Sequence, residues 1–166
     1  MKKSFSIFLV LIIFSFSFAG RKAPYFNLPS ENINNSQNID IKQFKGKPTV
    51  LIFWGINCMT CRTELPQLEK IYKIYKEKGI QFYTIVVDTK NKNDIFETKK
   101  RWNVTIPGLI SDKRTMYKYR IVGVPIIYFL NKDLRVVRVL YGAQPQEKIE
   151  KILNKLLKEN INHSEN

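Results

Sequence analysis

The chain has 166 residues, 44% of them hydrophobic and 13% aromatic, and a formal charge of +14; that is one domain's worth of chain, able to bury a real core. Its cations are dispersed, with no long basic run beyond Lys99-Lys100-Arg101, which argues against a nucleic-acid partner, since such proteins concentrate their cations and interleave exposed aromatics. With two cysteines and a single histidine, His163, the chain does not supply the four ligands of a structural zinc site, and neither a metal nor any other cofactor is expected.

Lys2 and Lys3 open the chain, and Phe5 to Phe18 is an apolar run broken only by Ser6, Ser15 and Ser17. At about 14 residues it falls short of the roughly 20 that a bilayer span needs and suits the apolar region of a signal peptide. Ser17 and Ala19 are small residues at the two positions a signal peptidase reads, so cleavage is expected before Gly20. The alternative is a retained N-terminal anchor, which would then be the only membrane contact. Either way residues 1–19 stand apart from a domain over 20–159, and that domain is expected outside the cytoplasmic membrane. No lipobox cysteine is present. The dispersed lysines read as a solvated basic surface, suited to an anionic membrane or an acidic partner.

Ser30 to Gln43 is rich in Asn, Ser and Gln and reads as turns around a short edge strand, Ile39-Asp40-Ile41. Thr49 to Trp54 is a continuous apolar, β-branched and aromatic run, the pattern of a strand buried on both faces. Beyond it, Leu65, Leu68, Tyr72 and Tyr75 recur at helical spacing, with Glu69, Lys70, Lys73 and Lys76 between them and Gly79 as a terminator. Ile80 to Val87 is a second strand and Asp88 to Asn93 a polar loop. Asp94 is expected to cap a helix running to Trp102, with Ile95, Phe96 and Trp102 buried. Asp112 to Tyr119 suggests one or two helical turns. Pro125 to Leu130 is a strand, Asn131-Lys132-Asp133 a turn, and Arg135 to Tyr141 returns antiparallel. Pro145 suits the first position of a last helix, which presents Ile149, Ile152, Leu153, Leu156 and Leu157; residues 160–166 are expected to fray. There are no internal repeats. The expected fold class is α/β, a central mixed β-sheet with helices on both faces.

The two cysteines, Cys58 and Cys61, fall where the first strong strand turns into a helix. Free N–H groups and the positive end of the dipole favour a thiolate there. A disulfide closing so short a loop removes little chain entropy, roughly 2 kcal/mol, so a structural staple is a poor use of the pair. A short ring at a helix start suits thiol–disulfide exchange. Copper capture remains open, although the metallochaperone pattern Met-x-Cys-x-x-Cys fails, with Ile56 at the Met position and Glu64 at the second-Cys position after Cys61.

Phe53-Trp54, then Cys58 and Cys61, then Pro66 resemble the active site of a thioredoxin-fold protein. Ala23-Pro24-Tyr25-Phe26-Asn27-Leu28 and Gly46-Lys47-Pro48 are similar to the "AP-x-F-x-L … GKP" lead-in of the TlpA/ResA-like family. Val122-Gly123-Val124-Pro125 resembles that fold's "GVP", whose proline is cis, and Arg62-Thr63-Glu64-Leu65-Pro66 resembles the family's run after the active site. The resemblance spans residues 23 to 157. It implies a thioredoxin fold with an N-terminal β-hairpin extension, and a Cys58–Cys61 redox-active disulfide in an extracytoplasmic thiol–disulfide oxidoreductase. The partners implied are protein thiols and disulfides, for example the haem-binding cysteines of apocytochrome c, and a membrane thiol-reducing carrier.

Within that reading Cys58 is the attacking thiolate and Cys61 the resolving sulfur. Glu64, three residues past Cys61, matches the glutamate that ResA-like members carry and is the expected proton relay. Where thioredoxins keep a buried aspartate, this chain has Ile52. Val124, beside Pro125, is expected to pair with a substrate peptide as an added strand, and Trp54 to serve as site wall and core together. The chain departs from the family at Asn57, where an aromatic residue is usual, and at Thr60, where proline is usual. The first removes part of the docking surface; the second adds donors near the sulfurs, which favours a more oxidising disulfide. The reading is therefore an exported oxidoreductase, with reduction of partner disulfides the expected direction. The alternatives are a disulfide donor or isomerase, and a binding module that holds thiols or copper without turnover. The single peroxidatic cysteine pattern of a peroxiredoxin is absent.

Overall fold

The computed structural model describes residues 20–34 and 37–162. The expected leader, residues 1–19, and the last four residues of the tail lie outside them. The chain first forms a short antiparallel hairpin, β1 (Asn27–Pro29) and β2 (Asn38–Asp40), with Leu28 opposite Ile39. The expected strand Ile39–Ile41 ends one residue early. The Asp40 carboxylate accepts the Lys42 N–H at 2.8 Å and caps a 3-10 turn, Ile41–Phe44, which turns Ile41 into the core.

β3 (Thr49–Trp54) is buried at every position, as its unbroken apolar run requires. It lies in the middle of a five-stranded sheet with β4 (Gln81–Val86), β5 (Gly108–Ile110), β6 (Ile126–Leu130) and β7 (Val136–Tyr141), in the order β5-β4-β3-β6-β7. β3, β4 and β5 are parallel, β6 pairs antiparallel with β3, and β7 pairs antiparallel with β6. The alternating side chains of β3 feed two cores. Val50, Ile52 and Trp54 pack with Leu65, Leu68 and Ile71 of α1 (Met59–Tyr75), Ile95 of α2 (Lys92–Arg101), and Ile149, Leu153 and Leu156 of α4 (Gln146–Asn162). Leu51 and Phe53 pack with Phe26, Leu28, Ile41, Phe44 and Tyr119, the last of these just beyond α3 (Lys113–Lys118). The sheet is thus covered on both faces, and the hairpin closes the second one.

α1 ends as its glycine suggests. Gly79 has φ +89°, and the Ile80 N–H reaches back to the Tyr75 carbonyl at 3.1 Å. Four local expectations change. α2 starts a little earlier than Asp94, because the Asn91 side chain accepts the Asn93 N–H and caps it. Ile95 then faces the core, and Phe96, about 100° further round, is 52% exposed while Trp102 is half-buried. Glu69 is not on the solvent face of α1. It is 3% exposed and accepts the N–H groups of Thr105 and Ile106 at 2.7 and 3.1 Å. Pro145 precedes the first turn of α4, its carbonyl accepting the Ile149 N–H, and α4 runs on to Asn162, into the stretch expected to fray.

Candidate active site

The central strand delivers its carboxyl end to the surface, and the chain turns through Gly55-Ile56-Asn57 into α1. Cys58 is the residue that caps this helix, with φ −91° and ψ 109°. Its Sγ accepts the Cys61 N–H at 3.1 Å, as an N-cap serine oxygen would. The two cysteines are joined by a disulfide, their Cα atoms 5.2 Å apart. Cys58 is half-buried, whereas Cys61 is fully buried in the core shared by Ile52, Trp54 and Leu65. The N–H that reaches the outer sulfur is thus that of Cys61, rather than the extra one supplied by Thr60.

The start of β6 faces this helix end. The Val124–Pro125 peptide bond is cis, and the Val124 carbonyl oxygen lies 3.5 Å from Cys58 Sγ. The sulfur has no proton to donate in the disulfide, so this is a van der Waals contact. Val122 is 93% exposed on the loop before it, and Met59 is 75% exposed next to Cys58. These two apolar side chains flank the loop and the helix start that carry the contact. Neither stands out in the sequence, because an isolated apolar residue in a loop or at the first position of a helix carries no periodic signal.

Trp54 backs the site and does not line it. It is fully buried and meets the Trp102 ring edge-on, with centroids 5.5 Å apart. Asn57 is exposed, and its amide lies 3.4 Å from an Asp88 oxygen. Glu64 is 2% exposed, and its carboxylate accepts the Gln144 N–H at 3.2 Å. Burial pushes its pKa up, and the Gln144 bond partly opposes this. Among the described residues no hydrogen bond joins Glu64 to either sulfur, although it lies one turn beyond Cys61 on the same helix. Asp88, which the sequence placed only in a polar loop, accepts the N–H groups of Ile56 and Asn57 at 3.0 and 3.1 Å. Its position just past the carboxyl end of a strand neighbouring β3 is the signal that marks it, since sites of open α/β sheets gather at that edge. No group of three or more metal-ligating side chains occurs among the described residues.

The geometry offers one accessible and one buried sulfur at a helix start, the arrangement used by thiol–disulfide exchange. Residues 19–139 match the AhpC/TSA family. The thiol-disulfide oxidoreductase ResA of Bacillus thuringiensis subsp. konkukian is 30% identical over 141 residues, covering 82% of this chain and 78% of the relative. ResA of Bacillus subtilis is 28% identical over 162 residues, covering 89% and 88%. Among solved structures, a putative thiol:disulfide interchange protein DsbE from Chlorobium tepidum superposes with a TM-score of 0.74 at 22% identity, over 84% of this chain and 97% of that one. StoA from Bacillus subtilis gives 0.64 at 23% identity, over 78% and 96%. The chain belongs to the AhpC/TSA family, as a ResA-like thiol–disulfide oxidoreductase of thioredoxin fold.

Proposed function

We propose that the protein works outside the cytoplasmic membrane as a reductant of disulfides in partner proteins, Cys58 attacking and Cys61 resolving. The reading is carried by the contrast between the cysteines: Cys58 is half-buried and its Sγ receives the Cys61 N–H, while Cys61 is fully buried. In the dithiol form that N–H and the helix dipole favour a thiolate on Cys58. The thiolate attacks one sulfur of a partner disulfide, forming a mixed disulfide and releasing the partner's other sulfur as a thiolate. Cys61, once deprotonated, attacks Cys58 Sγ and releases the second partner thiolate. Two electrons pass to the partner, and the Cys58–Cys61 disulfide remains.

Glu64 is the proton relay for Cys61 in this scheme: it is buried, it follows Cys61 by one turn, and burial raises its pKa so that it holds a proton more readily than an exposed glutamate. The partner chain docks along Val124 and Pro125, with Asn57, Met59 and Val122 at the rim. Residues 1–19 export or tether the domain. The substrate class is protein disulfides such as those of apocytochrome c haem-binding cysteines, and a membrane thiol carrier returns the protein to its dithiol form.

The test is the reduction potential of the pair in the full chain, by thiol trapping across a redox-buffer series. A value near that of thioredoxin, about −270 mV, supports a reductant. A value near the oxidant end, about −120 mV, makes the protein a disulfide donor. A pair that never re-forms its disulfide leaves only a binding module.

A further inference from the structure

The loop that carries Cys58 is held by a carboxylate from another strand. β4 leaves the sheet beside β3, where the Val87 N–H donates to the Trp54 carbonyl at 3.0 Å. The next residue, Asp88, turns back over Gly55-Ile56-Asn57. Its Oδ1 accepts the Ile56 N–H at 3.0 Å and its Oδ2 the Asn57 N–H at 3.1 Å. Gly55 allows this approach, because a Cβ there would meet Asp88 Oδ2 at 2.8 Å. The three N–H groups before the helix, and that of Cys61 within its first turn, are thereby assigned. Asp88 takes two, the Gly55 carbonyl takes that of Cys58 at 3.3 Å, and the sulfur receives that of Cys61.

We propose that Asp88 is a positioning residue that restrains the acidity of the Cys58 thiol and so biases the pair toward reduction of partners. The inference rests on the reading of Cys58 as the attacking sulfur. Asp88 acts in two ways of the same sign. It occupies two donors that would otherwise help stabilise negative charge at the helix start, and it sets a carboxylate against the positive end of the α1 dipole. A thiolate made less stable means a less stable dithiol form, hence a less oxidising disulfide. This opposes the Cys61 N–H, which favours negative charge on the same sulfur. Among charged groups, Asp94, Glu97 and Arg101 line a groove beside Ile56 and Asn57, Arg62 and Glu64 follow on α1, and Lys90 follows Asp88 by two residues. The facing segment Ile121 to Pro125 contains no titratable side chain.

The experiment compares the full chain with Asp88→Asn, Asp88→Ala and Asp88→Glu. The pH profile of alkylation by iodoacetamide is followed on the dithiol form, with the modified cysteine identified by peptide mass. The second readout is the equilibrium in which protein disulfide and two glutathione thiols give protein dithiol and glutathione disulfide. Asp88→Asn and Asp88→Ala are expected to lower the alkylation midpoint and to raise that equilibrium constant about three- to tenfold, with Asp88→Glu returning both toward the parent. A purely structural role would lower the melting temperature and leave both readouts in place. If Asp88→Ala melts early, Asp88→Asn, which keeps an acceptor for one N–H, supplies the comparison. Unmoved midpoint and equilibrium in folded Asp88→Asn would overturn the inference. Alkylation of Cys61 ahead of Cys58 would instead overturn the order of the sulfurs, whatever Asp88 does.

Discussion

Glu64 shows how burial turns an ordinary glutamate into a group with two measurable effects. Its carboxyl is 2% exposed and carries one backbone bond, from Gln144. Desolvation raises its pKa above the unfolded value, so the folded state holds the proton more tightly. The associated stability is fully present below the unfolded pKa and is lost as pH rises through the folded one. Glu64→Gln keeps an acceptor for Gln144 and carries no charge. Its stability relative to the parent should therefore increase across that window, measured by urea unfolding at a series of pH values. If Glu64 relays the Cys61 proton, the same variant should resolve mixed disulfides about a hundredfold more slowly; unchanged resolution rates remove the relay. The cysteines and Glu64 were legible as residues because they lie within seven consecutive positions on one helix start. Asp88 was not, because its contact with Ile56 and Asn57 depends on strands β3 and β4 lying side by side.

Among the elements, α2 and the hairpin region are joined by a pair that sequence patterning misassigned. Lys99 reads as part of a solvated basic run, yet its side chain is 7% exposed and ion-paired to Glu31, which follows β1. Its Nζ also donates to the Ile106 carbonyl and lies 3.3 Å from Thr84 Oγ1. Burial lowers the Lys99 pKa and raises that of Glu31, while each charge supports the other. Removing one partner leaves a buried charge uncompensated. Lys99→Met or Glu31→Gln alone should cost about 3 kcal/mol. The double variant should recover most of that loss, and a double-mutant cycle by urea unfolding measures the coupling. Additive losses would mean that the pair contributes little. The burial of Glu69 is hidden in the sequence for the same reason. A helix with polar residues on its outer face looks alike in sequence whether the outside is water or the loop carrying Thr105 and Ile106.

For the whole molecule, the disulfide is a reagent set on a fold that does not need it. Two apolar clusters, one on each face of the sheet, hold the five strands and the helices together. The ring closed by Cys58 and Cys61 spans only three positions, and loop closure of that size is worth about 2 kcal/mol. The dithiol form should therefore stay folded, with an unfolding free energy within about 2 kcal/mol of the disulfide form. Urea unfolding of the two forms, the dithiol kept under reductant, checks this. Loss of cooperative unfolding on reduction would make the bond structural and contradict a redox cycle.

The sequence by itself determined the class of fold and the strand-to-helix turn that carries the cysteines, and its resemblance to a known family pointed to the exchange chemistry of the pair. Apolar periodicity, glycine and proline punctuation and a contiguous motif are local, and local order is what a linear chain displays. Only the tertiary structure decided what each carboxylate meets. Glu69 took the N–H groups of Thr105 and Ile106, Glu31 met Lys99, Glu64 met Gln144, and Asp88 closed on the Cys58 loop. Each of these depends on which elements pack together, and a charged side chain carries no sign in sequence of whether it will face water or another backbone.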